Sequence, residues 1–156
     1  MKAVIQRVKR AEVSVNEKIT GSVGVGYMIL LGVVSGDTKE DAELLARKTA
    51  ALRIFTDEND KMNKSIIDVG GEILVVSQFT LCADCRKGNR PSFTQSAQSE
   101  QANTLYEYYC EQLRKNGIKN VQTGVFGEHM QVSILNNGPV TILYDTAIWK
   151  HDGEKK

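Results

Sequence analysis

The sequence predicts one mixed α/β domain, a curved and mostly antiparallel sheet or open barrel with two main helices. Three observations carry this expectation. A chain of 156 residues with 41% apolar content and no shift in composition suits a single core. Short apolar, β-branched runs occupy both ends of the chain. Only two segments, one after Asp37 and one after Ser99, space their apolar residues as helices do. The domain is expected over residues 1–150, and 151–156, HDGEKK, reads as a charged tail that frays.

Residues 2–15 mix Val4, Val8, Val13 and Val15 with charges, the pattern of a half-buried strand that bends or bulges. Asn16, Glu17 and Lys18 turn the chain into ITGSVG and YMILLGVV, two further strands with Gly24 and Gly26 marking the turn between them. Together these read as an antiparallel meander. Asp37 with Glu40 resembles a capping box, and Leu44, Leu45, Lys48, Ala51 and Leu52 follow at helical spacing to an end near Phe55. The polar run TDENDKMNKSIIDVGG reads as a long loop closed by Gly70-Gly71. EILVVSQFTL is a buried strand and ADCRKGNRPSF a second loop. The second helix spans Ser99 to Asn116, with Leu105, Tyr108, Tyr109 and Leu113 on one face and Gly117 placed to end it. NVQTGVF, MQVSILNN and VTILYDTAIW read as three closing strands.

Composition excludes some classes of function. Lys and Arg number 20 against 19 Asp and Glu, so the net charge of +1 supplies no global field for a nucleic acid, and any basic footprint is local. Three cysteines, no apolar leader in MKAVIQRVKR and no apolar run near 18 residues point to a reduced, cytoplasmic protein with no membrane partner. The catalytic equipment is sparse. A Ser-His-Asp device would have to use His129 with Ser77 or Ser92, since His151 lies in the tail; His129 reads more simply as an ordinary residue at a strand edge. Cys82 and Cys85 form C-x-x-C, but only Cys110 remains to partner them, so neither a tetrahedral metal site nor a redox motif is completed. Nothing calls for a metal or cofactor. Arg86, Lys87 and Arg90 around Gly88 make a short basic loop able to hold phosphate oxygens, although such runs are usually just solvated surface.

VSILNNGPVTILYDT, residues 132–146, sets Gly138-Pro139 between two good strand sequences, where proline removes a donor and glycine a side chain. Taken alone it is a turn. With SQFTL at 77–81, RKGNRPSF, TGVFGEHMQVSILNNGPVTI and the opening MKAVIQRV, it makes the chain resemble the D-aminoacyl-tRNA deacylases in motif order, spacing and length, to about Tyr144.

The resemblance implies an editing enzyme that cleaves the ester between a D-amino acid, or glycine, and the 3′-terminal adenosine of tRNA. It implies no DNA partner. It further implies a homodimer in which a Gly-Pro dipeptide with a cis bond, here Gly138 and Pro139, reaches into the partner's site and screens the stereocentre. The facing pocket falls by resemblance on Ser77, Gln78, Phe79 and Thr80, with Ala102, Phe126 and Met130 in its wall. Main chain suits such a filter: two rigid carbonyls would fix the substrate ammonium and leave an L side chain facing backbone that cannot rotate away. A side-chain pocket, by comparison, discriminates a small group by only ~1–3 kcal/mol. Thr80 has no visible base to activate it, so the expected chemistry is attack by water oriented by the adenosine 2′-hydroxyl, with main-chain amides near Phe79 and Thr80 stabilising the oxyanion. Two other readings remain: a Ser77- or Thr80-dependent esterase of free D-aminoacyl esters, and a tRNA-binding module without catalysis.

Overall fold

The first strand organises the molecule. In the computed structural model, which describes residues 1–150, β1 (Lys2–Val15) is paired on both edges. On one edge run β2 (Lys18–Val23) against its second half and β3 (Gly26–Gly32) against its first. The expected meander is therefore not formed: β3 does not turn back beside β2 but continues along β1, because a 14-residue strand is long enough to hold both. On the other edge β8 (Gln131–Asp145) accompanies β1 along its length. β6 (Glu72–Ser77) joins β3 in parallel, and β7 (Val121–Thr123) joins β6, also in parallel.

The anticipated bulge in β1 is present. Ala3 and Ile5 face one core; after register shifts on either side of Val8, Ala11 and Val13 face the other. Helices α1 (Lys39–Ala51) and α2 (Ser99–Lys115) cover the first core with Leu45, Ala46, Leu105, Tyr109 and Leu113. The second core, with Val8, Val13, Val23, Met28, Leu74 and Val76, lies inside the curl of the sheet. β6 is buried on both faces, as a parallel strand between two layers must be. Gly21 lets the curl nearly close, since a Cβ there would stand 2.7 Å from the Thr123 carbonyl oxygen.

Several local expectations change. Asp37 does not cap α1: it accepts from the Met1 ammonium at 2.9 Å and from the Val34 amide at 2.6 Å. Thr38 is the N-cap, with Asp41 accepting from its amide and hydroxyl. The helix stops at Ala51, and the polar run after it folds into a hairpin of β4 (Phe55–Thr56) and β5 (Met62–Lys64). Gly117, at φ +101°, ends α2 as expected, with the Gly117 and Ile118 amides bonded back to Arg114 and Leu113.

The buried strand at EILVVSQFTL stops at Ser77, and Phe79–Cys82 form a single 3-10 turn. The last third holds two strands rather than three, because β8 runs unbroken through Gly138-Pro139 before the short α3 (Ala147–Lys150). The tail 151–156, with His151, lies outside the described residues. No helix among the described residues is long and apolar enough to cross a membrane.

Candidate active site

β3 and β6 end side by side, and outside their carboxyl ends lies a cavity of about 720 Å³. Binding beyond the carboxyl ends of parallel strands is the general habit of open α/β sheets. Leu31, Val33 and Val76 form its floor; Ser77, Gln78 and Phe79 form one wall; Ala102 and Tyr106 of α2 form another; Phe126, His129 and Met130 close it from the segment entering β8.

The change from strand to 3-10 turn at Gln78 exposes this wall. The Gln78 amide still donates to the Leu31 carbonyl at 2.8 Å, extending the β3 pairing by one residue, and its carbonyl then accepts from Leu81 at 3.2 Å to start the turn. The amides of Phe79 and Thr80 stand at the start of that turn, where no intra-turn acceptor exists for them. The Phe79 ring is 57% exposed and meets Phe93 edge to face, centroids 5.1 Å apart. Behind the wall, the Tyr106 hydroxyl donates to the Val75 carbonyl at 2.8 Å, fixing α2 to β6, and burial raises the Tyr106 phenol's pKa.

Of the residues singled out from sequence, Ser77, Gln78, Phe79, Ala102, Phe126 and Met130 meet in this cavity. Thr80 stands just outside its lining, exposed, with its hydroxyl accepting from the Gln78 side-chain amide. Phe93 and Tyr106 were not anticipated there, and His129, weighed with Ser77 and set aside as a strand-edge residue, lines it too. Only Tyr106 left a signal, a phenol inside the apolar face of a helix.

The basic loop is an arm closed by reciprocal bonds between the backbones of Asp84 and Ser92, 2.7 and 2.9 Å long. Arg86 is taken up by Asp84 in a two-pronged pair at 2.9 and 2.6 Å, and this pairing holds the Asp84 carboxyl down to about 2. Lys87 and Arg90 are exposed at the tip. Cys85 is exposed while Cys82 is buried, its thiol pKa raised by burial.

Gly138 and Pro139 lie elsewhere. Opposite the single residue Arg7, between the pairs Gln6 with Thr141 and Val8 with Asn136, β8 carries the four residues 137–140 as an outward bulge. The Gly138-Pro139 bond is cis, and both residues are exposed. Buried Arg7 braces the bulge, donating from Nε to the Asn137 carbonyl at 2.8 Å and from a terminal nitrogen to the Ile54 carbonyl at 2.7 Å. Neither residue lines the cavity, whose nearest member in sequence is Val132, six positions from Gly138.

β8 itself has no fully buried residue, and Leu143, Leu135 and Ile134 are 72%, 45% and 41% exposed. Its outer edge is unpaired among the described residues.

Residues 4–145 match the family described as D-Tyr-tRNA(Tyr) deacylase. A D-aminoacyl-tRNA deacylase of Syntrophotalea carbinolica is 56% identical over 94% of this chain and 97% of its own length. One of Thermotoga petrophila is 52% identical over 94% and 98%. Among solved structures, one titled c-Myc DNA Unwinding Element Binding Protein superposes with TM-score 0.87 at 45% identity, covering 93% of this chain and 98% of that one. A probable eukaryotic D-amino acid tRNA deacylase shares the fold, with TM-score 0.80 at 20% identity over 92% and 97%.

Proposed function

The chain belongs to the D-Tyr-tRNA(Tyr) deacylase family, a family of hydrolases, and from that premise we propose that it cleaves the ester joining a D-amino acid, or glycine, to the 3′-terminal adenosine of tRNA. The observation that carries this is the Ser77–Phe79 turn set against a cavity of about 720 Å³, a volume suited to an aminoacyl-adenosine. The exposed Phe79 ring, backed by Phe93, offers a stacking surface for the adenine. The ester lies over the Phe79 and Thr80 amides, which stabilise the tetrahedral oxyanion, while the substrate's 2′-hydroxyl orients the attacking water. Ser77 and Gln78 hold the ribose and the geometry of the turn. Ala102, Phe126 and Met130 wall the pocket.

The chiral screen is Gly138-Pro139 of a second copy. Its supports are the absence of these residues from their own chain's cavity and the unpaired, apolar outer side of β8, the kind of surface that pairs with another molecule. Lys87 and Arg90 meet tRNA phosphates, whereas Arg86 shapes the arm through Asp84. A tRNA substrate puts this work in the cytoplasm.

Deacylation of D- and L-tyrosyl-tRNA, measured side by side, tests the proposal. The D ester is turned over and the L ester spared, and Pro139→Ala, which frees a backbone angle that the ring fixes, lowers the D/L ratio more than the rate on the D ester. Equal turnover of free D-tyrosine esters would favour the covalent esterase instead, and tight binding without turnover the non-catalytic module.

A further inference from the structure

His129 has no part in the chemistry proposed above, yet it lines the cavity. The other ionisable side chains of that lining are Glu128, its neighbour in sequence, and the Tyr106 phenol of α2. The β3 and β6 ends contribute Leu31, Val33, Val76, Ser77 and Gln78, none of them charged. His129 is thus the one lining side chain able to become a cation. It is exposed and enters no ion pair among the described residues.

A terminal nucleotide seated against Phe79 carries one anion close to its ribose, the phosphodiester on its 5′ side. Resting on the proposed function, we infer that His129 is a positioning residue whose ring N–H donates to this phosphodiester of the terminal nucleotide and so strengthens the grip on the substrate end. The exposed basic arm serves phosphates outside the cavity, and His129 serves the one that enters it. No proton is moved to or from the ester, so the contact changes affinity and leaves the chemical step alone.

The test uses two stable amide analogues of 3′-D-tyrosyl adenosine, one bearing a 5′-methyl phosphodiester, whose single charge does not titrate near neutrality, and one with a free 5′-hydroxyl. Calorimetric binding to the protein is expected to favour the phosphodiester by about fivefold. In His129→Gln, a change at an exposed position, the preference disappears. The matching kinetic signature on D-tyrosyl-tRNA is a KM about fivefold higher in His129→Gln than in the parent, with kcat equal in the two. Equal binding of the two analogues by the parent, or an undiminished preference in His129→Gln, overturns the inference, as does a variant that loses kcat at constant KM. Should neither analogue bind, the reading of the cavity as the aminoacyl-adenosine site fails first, an outcome distinct from equal binding of both.

Discussion

Thr80 is the residue on which a covalent and a non-covalent mechanism disagree. Its hydroxyl is exposed and accepts from Gln78, an amide that cannot serve as a base. Thr80→Ala is therefore expected to keep single-turnover deacylation within about tenfold of the parent, since the amide at position 80 survives the change. Complete loss, or an acyl-Thr80 adduct seen by mass spectrometry, would make Thr80 the nucleophile. At this scale the sequence was informative wherever a motif named the position. It was silent where placement came from folding: nothing local in GEHM brings His129 to the cavity, and Phe93 meets Phe79 only because the 84–92 arm closes on itself.

Elements were legible in their existence and less so in their ends. Both helices stand close to where apolar spacing put them, but the α1 cap moved by one residue because Asp37 is drawn to the Met1 ammonium, a partner from the far end of β1. Thr38 takes its place and Asp41 that of Glu40, and the Asp41 carboxyl balances opposing effects. Burial pushes it up, while hydrogen bonds from Lys150 and Thr38, the Lys150 charge and the terminal ammonium together hold it below its ordinary 3.8. A carboxyl lowered on folding adds stability above its unfolded value and loses it as pH falls through the folded one. Acid unfolding should accordingly steepen below about pH 4, and Asp41→Asn should flatten that limb while costing about 1–2 kcal/mol at neutral pH, as read by urea melts across pH.

The β3–β6 junction gives a sharper test. A Cβ on Gly26 would stand 1.8 Å from the Glu72 carbonyl oxygen, at the first pair of the parallel register. Gly26→Ala should destabilise by on the order of 3 kcal/mol, whereas alanine at Gly36, with φ +90° but open space around it, should cost about 1 kcal/mol.

For the whole molecule, sequence alone pointed to a mixed α/β fold with a curved sheet, and missed that NNGP interrupts no strand. Pattern could not show this, because β8 is held continuous by its long partner β1 and the three-residue excess is absorbed as a bulge opposite Arg7. The exposed length of β8 argues for assembly. Leu143→Glu is expected to convert a dimer to a monomer in sedimentation and light scattering, and to lower D-tyrosyl-tRNA deacylation at least about tenfold, because each site would lose the half supplied by its neighbour. A variant that remains monomeric and fully active would refute the shared site.

The Arg7 brace has a consequence for accuracy. By gripping both the Asn137 and Ile54 carbonyls from within the protein, it ties the bulge of β8 to the segment leaving α1. On the proposed reading of this bulge as the chiral screen, selectivity for handedness is only as firm as the interior beneath it. Interior substitutions that leave the protein folded but softened should show themselves first as errors of chirality, correct L-aminoacyl-tRNA being destroyed while the rate on the D form still looks healthy.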